Sequence, residues 1–220
     1  MGKPTGFSGG IRVQVNSDGT VTGAVEQIPF SKEKEEVELM TALAFIRSMN
    51  REMNKTGDTF FISDPRPNPE NDFDLSVTTP RGDAYLEMRE IQPGIPYDKA
   101  ETRFFSYEFA RMLRAAVHAK AEHYAHPGRE LFLLLYSTHY AFRLNETALM
   151  CLRCWLAADK PLFNAVFCYD PLDATEGVGR WVYPVPAELM GDFDPEAVRG
   201  HWCINLDPRK GVIETTRKEV

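Results

Sequence analysis

A chain of 220 residues with 43% hydrophobic and 26% charged residues is long enough to bury a core and has the composition of a globular protein. Its longest apolar run, Leu131 to Tyr136, falls far short of the ~18 residues a membrane helix needs. The N-terminal MGKPTGFSGG has no apolar signal segment, so no membrane association and a cytoplasmic location are expected, and a net charge of −7 excludes a coat that binds nucleic acid by blanket phosphate neutralisation.

Along the chain, Ile11, Val13 and Val15 alternate, Asp18-Gly19 interrupts, and Val21 and Val25 resume, which predicts a hairpin over about residues 11–28. Ser31 is the expected N-cap of a helix whose Val37, Met40, Leu43, Ala44 and Met49 recur at helical spacing. Glutamates crowd its first turns, where the dipole favours them, and Lys34 stands where a capping box would carry Glu. TGDTFFISDPRPNPEN reads as a short strand followed by a proline-rich loop.

Asn71 to Glu90 reads as two strands joined by a tight turn at Arg81-Gly82. IQPGIPYDKAE is a loop, and the stretch from Thr102 is a long amphipathic helix stopped at Pro127-Gly128. ELFLLLYS is a strand buried on both faces. A helix capped by Asn145 follows, then a second buried strand in FNAVFCYDP. TEGVGRW is read as a turn and RWVYPVP as a strand near an edge, given its prolines. HWCINLDP is a candidate last strand in a weakly patterned, acidic extension over about 187–220.

This order predicts an α/β fold, a central mixed β-sheet flanked by helices, in one domain spanning residues 1–220. The two buried strands with a helix between them imply a parallel crossover.

Charge is uneven. Lys99 to Arg129 holds six Lys or Arg against three Glu, whereas Cys168 to Pro208 holds eight acids against two Arg. Cys151 and Cys154 form a CxxC within a helix, but no second pair with zinc spacing follows, so buried free thiols are the favoured reading. His118, His123 and His126 on the basic helix are read as solvated or capping residues. Ser137 and His139 lack a third partner for a nucleophilic triad.

The chemistry concentrates in the Asn71–Glu90 hairpin. Side chains alternate along a strand, so Asp72, Asp74 and Ser76 share one face and Tyr85, Glu87 and Arg89 share another. With pairing about Arg81-Gly82, Glu87 is expected near Ser76 and Asp74 near Arg89, with Asp72, Asp74 and Glu87 looking out on one side. Converging carboxylates suit a hard cation such as Mg²⁺ or Mn²⁺. Spacing alone favours the plainer reading, that these acids are solvated residues of a half-exposed hairpin.

The hairpin and the order of elements around it resemble the PD-(D/E)xK restriction-endonuclease-like superfamily. DFDL from Asp72 resembles the family's Asp opening a strand, and LEMRE resembles its (D/E)xK strand, with Glu87 as the acid. The following helix and the ELFLLLYS strand match the family's order, and Lys120 and Tyr124 resemble the Lys and Tyr that its helix often carries. The resemblance covers roughly Ser31 to Asp170. It implies that Asp72, Asp74 and Glu87, with the backbone carbonyl of Met88, hold Mg²⁺ or Mn²⁺, and that Glu36 or Glu38 completes the shell.

Asn71 replaces a frequent Pro, and Arg89 replaces the catalytic Lys. Arg stays protonated and cannot act as a general base, but it can position water or clamp a phosphate. Catalytic candidates are therefore Asp72, Glu87, Arg89 and Lys120, the last reaching in from the helix, with Arg111 and Arg114 as substrate contacts. The implied activity is metal-dependent cleavage of nucleic acid, with a homodimer compatible. The alternative is a catalytically inactive member used for binding or assembly, favoured by Arg89 and the acidic balance; an enzyme of another class on a similar core is a third reading.

Overall fold

The structure, a computed structural model, describes residues 9–70, 72–91, 103–124, 128–172 and 175–204. Most of the expected loop before the basic helix, His126, Pro127 and the end of the acidic tail from residue 205 lie outside the described residues.

The first hairpin forms where expected: β1 (Gly9–Val15) and β2 (Val21–Gln27) pair antiparallel as a two-stranded sheet of their own. α1 (Lys34–Asn54) follows. Its N-cap is Glu33 rather than Ser31, whose hydroxyl accepts from the Glu33 N–H and donates to the Glu36 carboxylate.

Six strands make the central sheet, in the order β3 (Ser63–Pro67), β4 (Leu75–Thr79), β5 (Gly82–Glu90), β7 (Leu131–Tyr136), β8 (Ala165–Pro171) and β9 (Gly177–Tyr183). β5, β7 and β8 run parallel, while β3, β4 and β9 add antiparallel neighbours, so the sheet is mixed as predicted. A smaller pair joins β6 (Arg103–Phe105) to β10 (Trp202–Ile204), the latter inside the predicted last strand.

α2 (Ser106–Ala121) and α3 (Glu146–Asp159) carry the crossovers β5–α2–β7 and β7–α3–β8. α3 is capped by Asn145, which accepts from the Ala148 N–H at 2.8 Å. The alternation of buried residues divides the core between the two sheet faces. Phe45 and Met49 of α1 pack with Leu86, Met88, Leu134 and Phe167 on one face. Leu113 and Val117 of α2 and Leu152 and Leu156 of α3 pack with Leu133, Leu135 and Val166 on the other.

Three further expectations change. Within TGDTFFISDPRPNPEN the strand occupies SDPRP, in the proline-bearing part expected to be loop: β3 holds Pro65 and Pro67 because it is an edge strand, where a missing N–H costs no ladder bond. TEGVGRW is no turn, since Gly177 to Trp181 are the first part of β9. Its glycines admit close packing: a Cβ on Gly177 would lie 2.4 Å from the Tyr169 ring, and one on Gly179 would lie 2.8 Å from the Met49 sulfur. Ser48 of α1 fastens to the same strand, donating to Gly177 O at 2.8 Å and accepting from the Gly179 N–H at 3.1 Å. Finally, α2 ends at Ala121, before the Pro127-Gly128 stop.

Candidate functional site

The hairpin closes through the two-residue loop Pro80-Arg81, with Thr79 paired to Gly82. Gly82 adopts φ 114°, a conformation that an L side chain strains to reach. Ser76 pairs with Tyr85 and Leu75 with Leu86, so the register is two residues from the expected one. Continued one step, it sets Asp74 opposite Glu87 rather than Arg89. The Asp74 N–H donates to Glu87 Oε1 at 3.3 Å, and the Met88 N–H donates to Asp74 Oδ2 at 2.9 Å.

Glu87 is 1% exposed. It points to the α2 face, because Leu86 and Met88 on either side of it pack on the α1 face. From α2, Lys120 bonds directly to Glu87 Oε2 and lies 3.5 Å from Asp74 Oδ2. From the opposite face, Lys34 reaches Asp74 Oδ1 at 3.1 Å and Glu38 Oε1 at 3.0 Å. Asp74 therefore joins the two helical layers at the mouth of the β4–β5 hairpin.

An aromatic stack braces one side. Phe73 lies 4.0 Å from Tyr85 and 5.1 Å from Tyr124, centroid to centroid, nearly parallel to both. Lys120 approaches the Tyr124 ring at 6.0 Å.

The electrostatics follow from this crowding. Burial raises Glu87, and the neighbouring Asp74 charge raises it further against the opposing pull of Lys120 and Tyr124. Asp74 moves the other way: burial would raise it, but its bond with Glu87, the Lys120 charge, the Met88 N–H and Lys34 hold it below the usual carboxylate range. The repulsion between two carboxylates this close falls unevenly: it pushes Glu87 up, while Asp74 is held down. Glu38 is pushed up to about 7, chiefly by burial and then by Asp74. Tyr124 is raised by burial and by its hydrogen bond to Glu87.

Of the residues singled out from the sequence, Asp74, Glu87, Met88 and Lys120 come together, and Glu38 rather than exposed Glu36 joins them from α1. Asp72 does not join the pair. It is exposed and accepts from Asn68, because regular strand begins only at Leu75 and the alternation does not extend back to it. Arg89 is exposed, and among the described residues no hydrogen bond or ion pair links it to Asp74 or Glu87.

Arg114 is engaged elsewhere, in a two-pronged pair with Asp159 of α3 at 2.6 and 2.7 Å, which His118 joins at 2.8 Å. Arg111 pairs with Glu108 at 2.7 Å. At about 100° per residue, positions 111 and 114 lie well around the helix from 120. The sequence reading missed Lys34 as a site residue and missed the Phe73 stack. The i, i+4 spacing of Lys34 and Glu38 was the available signal for the first.

The oxygen donors that the site offers a hard divalent cation are the two carboxylates of Asp74 and Glu87 on neighbouring strands, while the Met88 N–H is taken up by Asp74. Among the described residues no three Asp, Glu, His or Cys side chains assemble into a closed cage. A two-carboxylate site agrees with Mg²⁺, which keeps several waters. The thiols do not contribute: Cys151 is a buried free thiol pushed up to about 11 by burial, and Cys154 is raised for the same reason. Among the described residues no helix is long and apolar enough to cross a membrane.

No family model matches the chain, and no curated protein matches it. A solved structure similar to it is that of SfsA from Pyrococcus furiosus in complex with Ca²⁺, which is 9% identical over 74% of this chain and 76% of that chain, with a TM-score of 0.26. So shallow a likeness carries nothing over to the chemistry of this chain.

Proposed function

We propose that this chain is a metal-dependent nuclease on a restriction-endonuclease-like fold, hydrolysing phosphodiester bonds of nucleic acid. The observation that supports this most is the meeting of Asp74 and Glu87 across adjacent strands with Lys120 bonded to both. In a purely structural hairpin, two acids side by side on neighbouring strands are unfavourable. Crowded carboxylates pushed in opposite directions are common at working sites. The central mixed sheet with helices on both faces is compatible with the proposed family.

In this reading Asp74 and Glu87 would hold Mg²⁺ or Mn²⁺, with the Met88 carbonyl as the resemblance implies. The bound ion supplies Lewis-acid activation and neutralises phosphate charge. Lys120 takes the role that the family gives to the lysine of its strand. Its ammonium offers only donors, so it orients the attacking water and stabilises negative charge gathering on the phosphate. Water attacks phosphorus in line: a new P–O bond forms as the bond to the leaving oxygen breaks, the water's proton passes to solvent, and the leaving oxygen takes up a proton from solvent. Tyr124 stands close enough to Glu87 to be raised by it, and its ring is fixed by the Phe73 stack. Arg89, exposed on the strand that carries Glu87, is the phosphate contact.

A second reading, a non-catalytic binding module, is favoured by one observation: Lys34 and Lys120 already neutralise the acids without any metal. The test is cleavage of single- and double-stranded DNA and RNA with Mg²⁺ or Mn²⁺, alongside Glu87→Ala. The nuclease reading expects cleavage by the wild type and none by folded Glu87→Ala. No cleavage of any substrate, with no Mn²⁺ bound by calorimetry, overturns it in favour of the binding module.

A further inference from the structure

A cavity of about 550 Å³ opens at the closed end of the β4–β5 hairpin, lined by Arg81, Asp83, Arg129, Glu130 and Asn164 among others. Its two acids are each answered by an arginine, Glu130 by Arg81 at 2.9 Å and Asp83 by Arg66 at 3.7 Å. Arg129 is left over. It is exposed, and among the described residues its guanidinium makes no ion pair or hydrogen bond. It lies over the Tyr85 ring, 5.6 Å from the centroid.

Strand pairing fixes this position. Tyr85 pairs with Leu131, and its N–H donates to Glu130 O at 2.9 Å, so the residue before Glu130 arrives beside the Tyr85 side chain. Asn164 closes the same corner: its Oδ1 accepts from the Leu131 N–H at 2.8 Å, which leaves the amide N–H groups as donors.

We infer that Arg129 binds the phosphate next to the one cleaved, so that a nucleic-acid strand runs from the Asp74–Glu87 site along β5 and places its neighbouring nucleotide at this cavity. This rests on the nuclease reading and deepens it.

Tyr85, Glu87 and Arg89 share one face of β5, so Tyr85 and Arg89 stand on opposite sides of Glu87, each two residues or about 7 Å away. Arg129 over Tyr85 and Arg89 therefore flank the acids by one strand repeat, a step of the order of that between neighbouring phosphates of an extended strand. Stacking on an aromatic face holds a guanidinium in place, and its edge keeps the N–H fork that phosphate takes up in two parallel bonds. The rings make the row continuous: Tyr85 stacks on Phe73 and Phe73 on Tyr124, which Lys120 approaches beside the acids. With both cavity acids already matched, the surplus charge at Arg129 favours an anion there.

The test is fluorescence anisotropy of a short, fluorescein-labelled single-stranded DNA titrated with the full chain in EDTA over a range of salt. Wild type, Arg129→Gln, Arg129→Lys and Arg114→Ala are compared, each first shown to be folded by thermal melting; Arg129 is exposed, so its variants should fold. Arg129→Gln should bind about tenfold more weakly, as loss of one charged hydrogen-bonding group does. It should also lose about 0.7 from the slope of log affinity against log salt, the share of one phosphate contact on a single strand. Arg129→Lys keeps the charge and should keep the slope, and Arg114→Ala should match the wild type. Wild-type affinity and slope in Arg129→Gln, a slope in Arg129→Lys as low as in Arg129→Gln, or no binding by the wild type overturns the inference. Cleavage by the wild type with Mg²⁺ would still sustain the nuclease reading in each of those cases. Binding that depends on Arg129, with no cleavage of any substrate, overturns the nuclease reading and keeps Arg129 as a phosphate contact of the binding module.

Discussion

Glu87 on β5 and Asp170 on β8 are both buried acids of one sheet, and the chain treats them differently. Asp170 is answered by arginine: Arg180 reaches it at 2.6 Å, the Leu144 N–H donates at 3.3 Å, and Arg143 adds its charge. Burial still pushes Asp170 up to about 6, but each neighbour works to keep it ionised. Glu87 has another carboxylate as its nearest strand neighbour, and its lysine is shared with that neighbour. The first arrangement closes a charge inside a core. The second keeps two like charges together, at a cost in stability that a structural role alone would not select.

The largest effect expected from this contrast is on catalysis. Lys120→Ala should lower kcat about 10²- to 10³-fold, the range seen when one preorganised charge stabiliser is removed. Arg89→Ala should cost less than about tenfold, and Arg89→Lys should keep or raise the rate. Single-turnover cleavage assays measure all three, and equal losses at Lys120 and Arg89 would remove Lys120 from its assigned place.

Stability should show the reverse. Asp170→Asn strands Arg180 and should cost about 3 kcal/mol in urea unfolding, as breaking a buried pair does. Glu87→Gln removes the like charge and should stay within about 1 kcal/mol of the wild type. Comparable losses in the two variants would mean that both acids are structural.

A smaller effect concerns pH. Glu38 is raised in the folded state from its ordinary 4.5 to about 7, so the folded chain binds the extra proton. Its stabilising contribution is complete below about pH 4.5 and is lost as pH rises toward 7, by at most about 1.4 kcal/mol per pH unit. Asp170 acts in the same sense but is spent above about pH 6. Glu38→Gln should therefore flatten the fall of the urea midpoint between about pH 6 and 7. An unchanged slope would show that Glu38 is ionised throughout.

Least affected should be Arg114→Ala. Its pair with Asp159 is partly exposed, so about 1 kcal/mol or less is expected in urea unfolding, with nucleic-acid affinity unchanged in filter binding. A clear loss of affinity would restore Arg114 to the substrate surface.

The fold was legible where a period repeats. Leu75 to Thr79 and Gly82 to Glu90 alternate, Leu131 to Tyr136 is apolar throughout, and the helix between β7 and β8 has a side-chain cap. Glu87 and Lys120 were legible because one lies within the alternating strand and the other stood out beside Tyr124 through resemblance. Asp72 misled because the period was carried back three residues beyond the strand. The pairing register depended on a two-residue loop, and a slip there moves every partner. Lys34 meets Asp74 across forty residues, a contact that only the packed fold creates. β3 was hidden by its own prolines, whose acceptability depends on which strand ends up at the edge.

The clasp between α1 and β9 has a mechanical consequence. Ser48 is fastened to β9 over two glycines, and Glu38 stands ten residues away, about 15 Å along a straight helix. The helix thus runs from the edge strand β9 across the sheet face to the carboxylates beside β4 and β5. A methyl group added at Gly179 would press on Met49 beside Ser48 and touch none of the acids. Ser48 and the two glycines of β9 therefore help set where α1 lies, and with it where Lys34 and Glu38 stand beside Asp74.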